Sequence, residues 1–93
     1  MDKVEALAIL EKQLEHYRGL RYGELLRLLD ESQYLEVTSR SGTCYQVEIC
    51  AFWDDKTCVH LRVVGTIDDG GWRAFVPLSS DFIVAPDGSF VGE

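Results

Sequence analysis

The chain has 93 residues, 46% of them hydrophobic and 27% charged, which is the size and composition of one globular domain rather than of a disordered or multidomain protein. Its net charge of −7, from 9 basic and 16 acidic residues, opposes a phosphate backbone, so nucleic acid is excluded as an expected partner. No stretch approaches the ~20 apolar residues of a membrane span, so no membrane is expected either.

The first predicted element is a helix over residues 2–18. Val4, Leu7, Leu10, Leu14 and Tyr17 recur at spacings of three and four and form one apolar stripe. Asp2 followed by Glu5 reads as an N-cap with its capping-box partner, and Gly19 as the residue that ends the helix. A second helix is expected over 22–30, where Leu25, Leu26, Leu28 and Leu29 make a wide apolar face. The apolar run over 6–10 stops at Glu11 and Lys12 and is too short for a signal peptide. With three cysteines that lack metal-type spacing, this makes a cytoplasmic, reducing location the expectation.

From residue 34 the period changes to two, and the sheet is expected over 34–91. Leu35 and Val37 alternate with Tyr34, Glu36 and Thr38; Tyr45, Val47, Ile49, Ala51 and Trp53 alternate with Cys44, Gln46, Glu48, Cys50 and Phe52. Val59, Leu61, Val63 and Ile67 alternate with His60, Arg62, Val64 and Thr66, and a fourth strand is expected through Trp72, Ala74, Val76 and Leu78. Turns are read at Ser41-Gly42-Thr43, Asp54-Asp55-Lys56-Thr57 and Asp68-Asp69-Gly70-Gly71. Keeping all apolar residues on one face suggests pairing Val37 with Val47, Ala51 with Val59, and Ile67 with Trp72. That middle pairing sets Cys50 opposite His60 and Glu48 opposite Arg62. Pro77 closes the fourth strand or lies on an edge. Ser79-Ser80-Asp81 is expected to cap a helical turn, and Phe90-Val91 to pair back onto Ile83-Val84 as a short terminal hairpin around Pro86-Asp87-Gly88. The expected fold is a single α+β domain over 1–93: two N-terminal helices on one face of an antiparallel four-stranded meander, with a short C-terminal hairpin or extra strands.

The other sheet face holds the candidate functional residues. Tyr34, Phe52, Val64 and Phe75 are too apolar for a face left in water, and with Arg62 and Arg73 they form a candidate interface unless the C-terminal segment folds over them. Glu36, Glu48, Cys50 and His60 form a polar cluster of the residue types a cysteine nucleophile needs, but no oxyanion hole or Gly-rich elbow accompanies them. No catalytic residues are assigned on this basis. Cys44, Cys50, Cys58, His16 and His60 show no zinc spacing, and the acidic turns lack the pattern of a calcium loop, so neither a metal nor another cofactor is expected. The charge is uneven. Residues 1–43 carry six basic and eight acidic side chains, net −2, while 44–93 carry three and eight, net −5.

The stretch Ile67-Asp68-Asp69-Gly70-Gly71-Trp72-Arg73-Ala74-Phe75-Val76-Pro77-Leu78, then Phe82-Ile83-Val84-Ala85-Pro86-Asp87-Gly88 and Gly92-Glu93, resembles a family of small uncharacterised bacterial proteins. The resemblance covers about a third of the chain and implies no catalytic residues. In size and charge the chain is also similar to immunity proteins of bacterial toxin systems, an analogy with no motif behind it. Three readings follow: a non-catalytic protein-binding module of inhibitor or immunity type, a cysteine-dependent enzyme or redox sensor using Cys50 and His60, and a structural domain that homodimerises through the open face.

Overall fold

The computed structural model describes residues 2–70 and 77–92. Helix α1 (Lys3–Arg18) is followed by a single α-turn, α2 (Tyr22–Leu25), which tightens into a 3-10 turn (Leu26–Leu29). Four strands come next: β1 (Gln33–Thr38), β2 (Cys44–Trp53), β3 (Leu61–Asp68) and β4 (Leu78–Val84). They form one antiparallel sheet in the order β1-β2-β3-β4, a meander, so the chain is an α+β protein. The second expected helix is thus only partly α-helical, because its last four residues wind as 3-10.

The N-cap of α1 forms as its sequence suggests: the Asp2 carboxylate accepts from the Glu5 amide at 3.1 Å. Glu5 does not return the bond; its carboxylate instead accepts from the Ser41 hydroxyl at 3.0 Å, tying the helix start to the β1–β2 turn. Gly19 caps the helix in a right-handed conformation (φ −81°), so its glycine freedom is not used. The buried stripe is Ala6, Leu10 and Leu14, with Tyr17 partly buried. Val4 and Leu7, expected on this stripe, are instead 82% and 43% exposed. Small Ala6 takes the inward position and lets the helix lie close to the sheet.

The closest approach is at Gly65, in the middle of β3. A Cβ there would lie 2.8 Å from Leu10 Cδ1, 3.2 Å from Leu14 Cδ2 and 3.1 Å from Ile49 Cδ1. The two leucines of α1 therefore sit in the notch that the missing side chain leaves. Around it pack Tyr45, Val47, Ile49 and Ala51 of β2, Leu61, Val63 and Ile67 of β3, and Phe82 and Val84 of β4, with Leu25 and Leu28 from the short helical segment.

Every strand keeps its expected inward face, but each hairpin slides along its partner. Val37 pairs with Tyr45 rather than Val47, a slip of two residues. Ala51 pairs with Val63 rather than Val59, a slip of four. Ile67 pairs with Leu78 rather than Trp72, a slip of six. Side chains alternate with a period of two, so even slips leave each residue on its own face. The first two loops carry chemistry of their own that matches their slips. The first turn spans Ser39 to Thr43, closed by Ser39 N–H to Thr43 C=O at 2.8 Å, with Gly42 at φ +87° supplying the left-handed step. In the second, the Asp55 carboxylate accepts from the Val59 amide at 3.2 Å, and Cys58 turns left-handed (φ 56°). Tyr22 donates its hydroxyl proton to the Val59 carbonyl at 2.8 Å. Residues 58 and 59 therefore leave the ladder, and Val59 is exposed in a turn rather than buried in a strand.

Ser79, Ser80 and Asp81 lie inside β4 and cap no helical turn. Of the fourth strand expected through Trp72, Ala74, Val76 and Leu78, residues 72–76 lie outside the described residues and Leu78 begins β4. The terminal hairpin forms in short: Val84 bridges Phe90, the Ala85 and Val91 amides bond to the Ser89 and Ile83 carbonyls, each at 2.9 Å, and the Gly88 amide closes the turn onto the Ala85 carbonyl at 2.9 Å.

Filling the notch tests this packing. Gly65→Val should lower the free energy of unfolding by about 1–3 kcal/mol through overpacking, with a smaller loss for Gly65→Ala. Chemical denaturation measures it, and an unchanged midpoint for the valine variant would contradict a closely seated α1.

Candidate functional site

Four strands of alternating side chains leave one face against α1 and the other turned away from it. On the outer face the register sets side chains in rows. Glu36, Gln46 and Asp68 form one; Tyr34, Glu48, Thr66 and Ser79 the next; then Cys50, Val64 and Asp81; then Phe52, Arg62 and Ile83. The tail does not cross this face. Phe90 meets the buried Phe82 edge-on at 5.7 Å between ring centres, and the Arg18 guanidinium of α1 lies over both rings, at 5.1 and 4.8 Å. The tail therefore packs on the helix side.

Two regions of the outer face differ in chemistry. Near β1, the Glu36, Glu48 and Asp68 carboxylates, with Tyr34, Gln46 and Thr66, line a shallow groove of about 420 Å³. Tyr34 is 74% exposed at its rim, and its phenol is held above its ordinary pKa, first by its hydrogen bond to Glu48. The Glu36 carboxylate accepts from the Cys44 thiol at 3.1 Å, and that of Asp68 from the Gly70 amide at 2.8 Å. Further along, Phe52 is 49% exposed beside Arg62. Arg62 is clamped. Its Nε and Nη2 donate to Asp54 Oδ1 at 2.9 and 2.6 Å, and its Nη1 pairs with Asp81 Oδ2. These bonds raise its pKa, that to Asp54 most. Asp54 and Asp81 are its diagonal neighbours on the same face, so the pleat itself brings the three together.

Of the expected candidate residues, Tyr34, Phe52, Val64 and Arg62 lie on this face, with Val64 partly buried between Cys50 and Asp81; Phe75 and Arg73 lie outside the described residues. Two expected pairings are replaced. Glu48 faces Thr66 rather than Arg62, whose ion partners are the two aspartates. Cys50 faces Val64 rather than His60, which sits in the turn with its Nδ1 3.2 Å from Asp55 Oδ2. His60 accepts the Asp54 amide proton, so it stands level with Asp54 and four residues along from Cys50, about 13 Å at strand rise. Burial, then Glu48, raises the Cys50 pKa; the hydrogen bond to Glu36, then burial, raises that of Cys44. Both shifts hold these sulfurs as thiols at neutral pH and oppose a thiolate nucleophile.

The sequence reading missed Ile83, Asp54 and Asp81. The signal for Ile83 was its odd spacing from Phe82 and Val84, legible once 78–84 is taken as strand. Among the described residues, no group of three His, Cys, Asp or Glu side chains is placed to hold a metal ion, and no helix is long and apolar enough to cross a membrane. No family model, no curated protein and no solved structure matches the chain.

The thiol shifts carry a direct test. Because raised pKa values require higher pH to form thiolate, Cys44 and Cys50 should react with iodoacetamide at pH 7 more slowly than free cysteine. Their rates should climb only above the ordinary value of 9.0. Peptide-resolved alkylation measures this, and faster labelling of Cys50 than of free cysteine would restore a reactive-thiol reading.

Proposed function

We propose that the protein is a non-catalytic protein-binding module that takes a basic partner protein on its outer sheet face. The observation that carries this reading is the juxtaposition on one face of two exposed aromatic side chains, Tyr34 and Phe52, with the groove bearing Glu36, Glu48 and Asp68. Aromatic rings supply contact area at low entropic cost, and carboxylates at the rim steer a cationic partner and set its orientation. The sheet holds these side chains on rigid strands. The net charge of −7 adds long-range attraction for a basic protein. Raised thiol pKa values and the separation of Cys50 from His60 favour binding over cysteine chemistry.

The test compares Phe52→Ser and Tyr34→Ala baits with the wild-type chain in affinity capture, quantified by mass spectrometry. A basic protein retained by the wild type should fall by about tenfold or more with each variant, as for an aromatic interface anchor. Thermal unfolding should stay unchanged, since both side chains are exposed. Capture unaffected by either substitution would contradict the assignment of this face.

A further inference from the structure

The acidic groove ends at the free edge of the sheet. In the β1–β2 ladder, the Ser39 amide bonds to the Thr43 carbonyl, which makes 39 with 43 a hydrogen-bonded pair. Pairs in an antiparallel ladder alternate, so Val37, Leu35 and Gln33 also bond to β2. The main-chain N–H and C=O groups of Tyr34, Glu36 and Thr38 then point away from the sheet, six groups in a row. Among the described residues, no hydrogen bond reaches them. At the opposite edge, the tail is bonded to the end of β4.

The two sides of this edge differ. On the outer side stand Tyr34 and Glu36, with Glu48 one strand further in. On the helix side, β1 and α1 flank an open cleft of about 400 Å³, with Ala8, Ile9 and Val37 as its apolar lining and Glu5, Lys12 and Arg40 as its charged lining. An added strand places its alternate side chains on these two sides. Residues opposite Tyr34 and Glu36 meet the carboxylates; a residue opposite Val37 enters the cleft, and one opposite Leu35 lies on the same side.

A second copy of the chain fits this edge poorly. The register that engages all three outward residues sets Tyr34 against Thr38 and Glu36 against Glu36, which places like charges directly opposite. A basic strand reverses that term and turns Glu36 from an obstacle into a selector.

We infer that the edge of β1 binds an extended segment of a basic partner by strand addition, and that the segment alternates arginine or lysine with β-branched apolar residues. The inference rests on the protein-binding reading above and names how the partner engages. The cations face Glu36 and the acidic groove, and the apolar residues occupy the cleft between α1 and β1.

Four blocked synthetic peptides test it, followed by nitrogen–proton correlation spectra of the full chain: alternating arginine and valine, its glutamate counterpart, and two with alternate amides N-methylated, one on each edge. The arginine peptide should shift the Tyr34, Glu36 and Thr38 amides. One N-methylated form, and separately Glu36→Lys, should weaken binding about tenfold through lost main-chain bonds or reversed charge, and Val59→Ala, in the distant β2–β3 turn, should leave it within about twofold. No binding of the arginine peptide overturns the inference, as does sedimentation of the free protein as a dimer through this edge. Binding unaffected by N-methylation on either edge, or shifts confined to the surroundings of Phe52, overturns strand addition and leaves the outer-face reading standing. Equal binding of the glutamate peptide overturns both.

Discussion

Gly65 is the point at which two layers become one core. A helix over a sheet ordinarily keeps its distance because both surfaces are covered with side chains; here one strand position is empty, and Leu10 and Leu14 fill it. That contact fixes the height and the rotation of α1, placing Ala6 inward and turning Val4 and Leu7 outward. A chain of this length has little apolar surface to spare. With the stripe of α1 and the two leucines of the short helical segment committed to the inner face, the described residues supply no second layer for the outer one.

The outer face follows from that asymmetry. Among the described residues it has no cover, and charges at its centre pair diagonally. Arg62 is held between Asp54 and Asp81, which spans β3 to both neighbours and fixes the long side chain along the surface. Toward β1 the described residues of this face give the arginine no counterpart, and Glu36, Glu48 and Asp68 line one groove. The proposed recognition role draws on three traits of the described residues on this face. It is open to water, it offers no enclosed space for a reacting group, and its two outward-facing thiols are kept protonated by burial and by neighbouring carboxylates.

How much of this was legible depended on the period of the signal. Alternation told inside from outside on every strand, since burial selects one parity and tolerates no odd slip. It was silent on even slips. Trp72, Ala74 and Val76 share their parity with Leu78, Phe82 and Val84, so alternation alone accepted either set as the partner of β3. For the β2–β3 register the choice lay in loop chemistry: the Asp55 carboxylate binding the Val59 amide, and the Tyr22 hydroxyl reaching across from α2. The first is a short-range contact that an aspartate in a turn suggests; the second joins residues 37 apart and leaves no local trace. Helical spacing misled in another way. Val4, Leu7, Leu10 and Leu14 satisfy the same three-and-four rule as Ala6, Leu10 and Leu14, and only the close approach at Gly65 selects the smaller residue. The outer-face candidates Tyr34, Phe52, Val64 and Arg62 were legible because parity alone places them. The clamp on Arg62 was not, since it needs the register.

The account turns on an inner face sealed by α1 and on the β1 edge proposed to take a partner strand. Amide hydrogen exchange in the isolated protein measures both at once. Leu35, Val37 and the central residues of β2 and β3 should exchange slowly, while Tyr34, Glu36 and Thr38 exchange at nearly the rate of an unstructured chain. Uniform protection across residues 33–38 would show the edge already covered and would contradict the account.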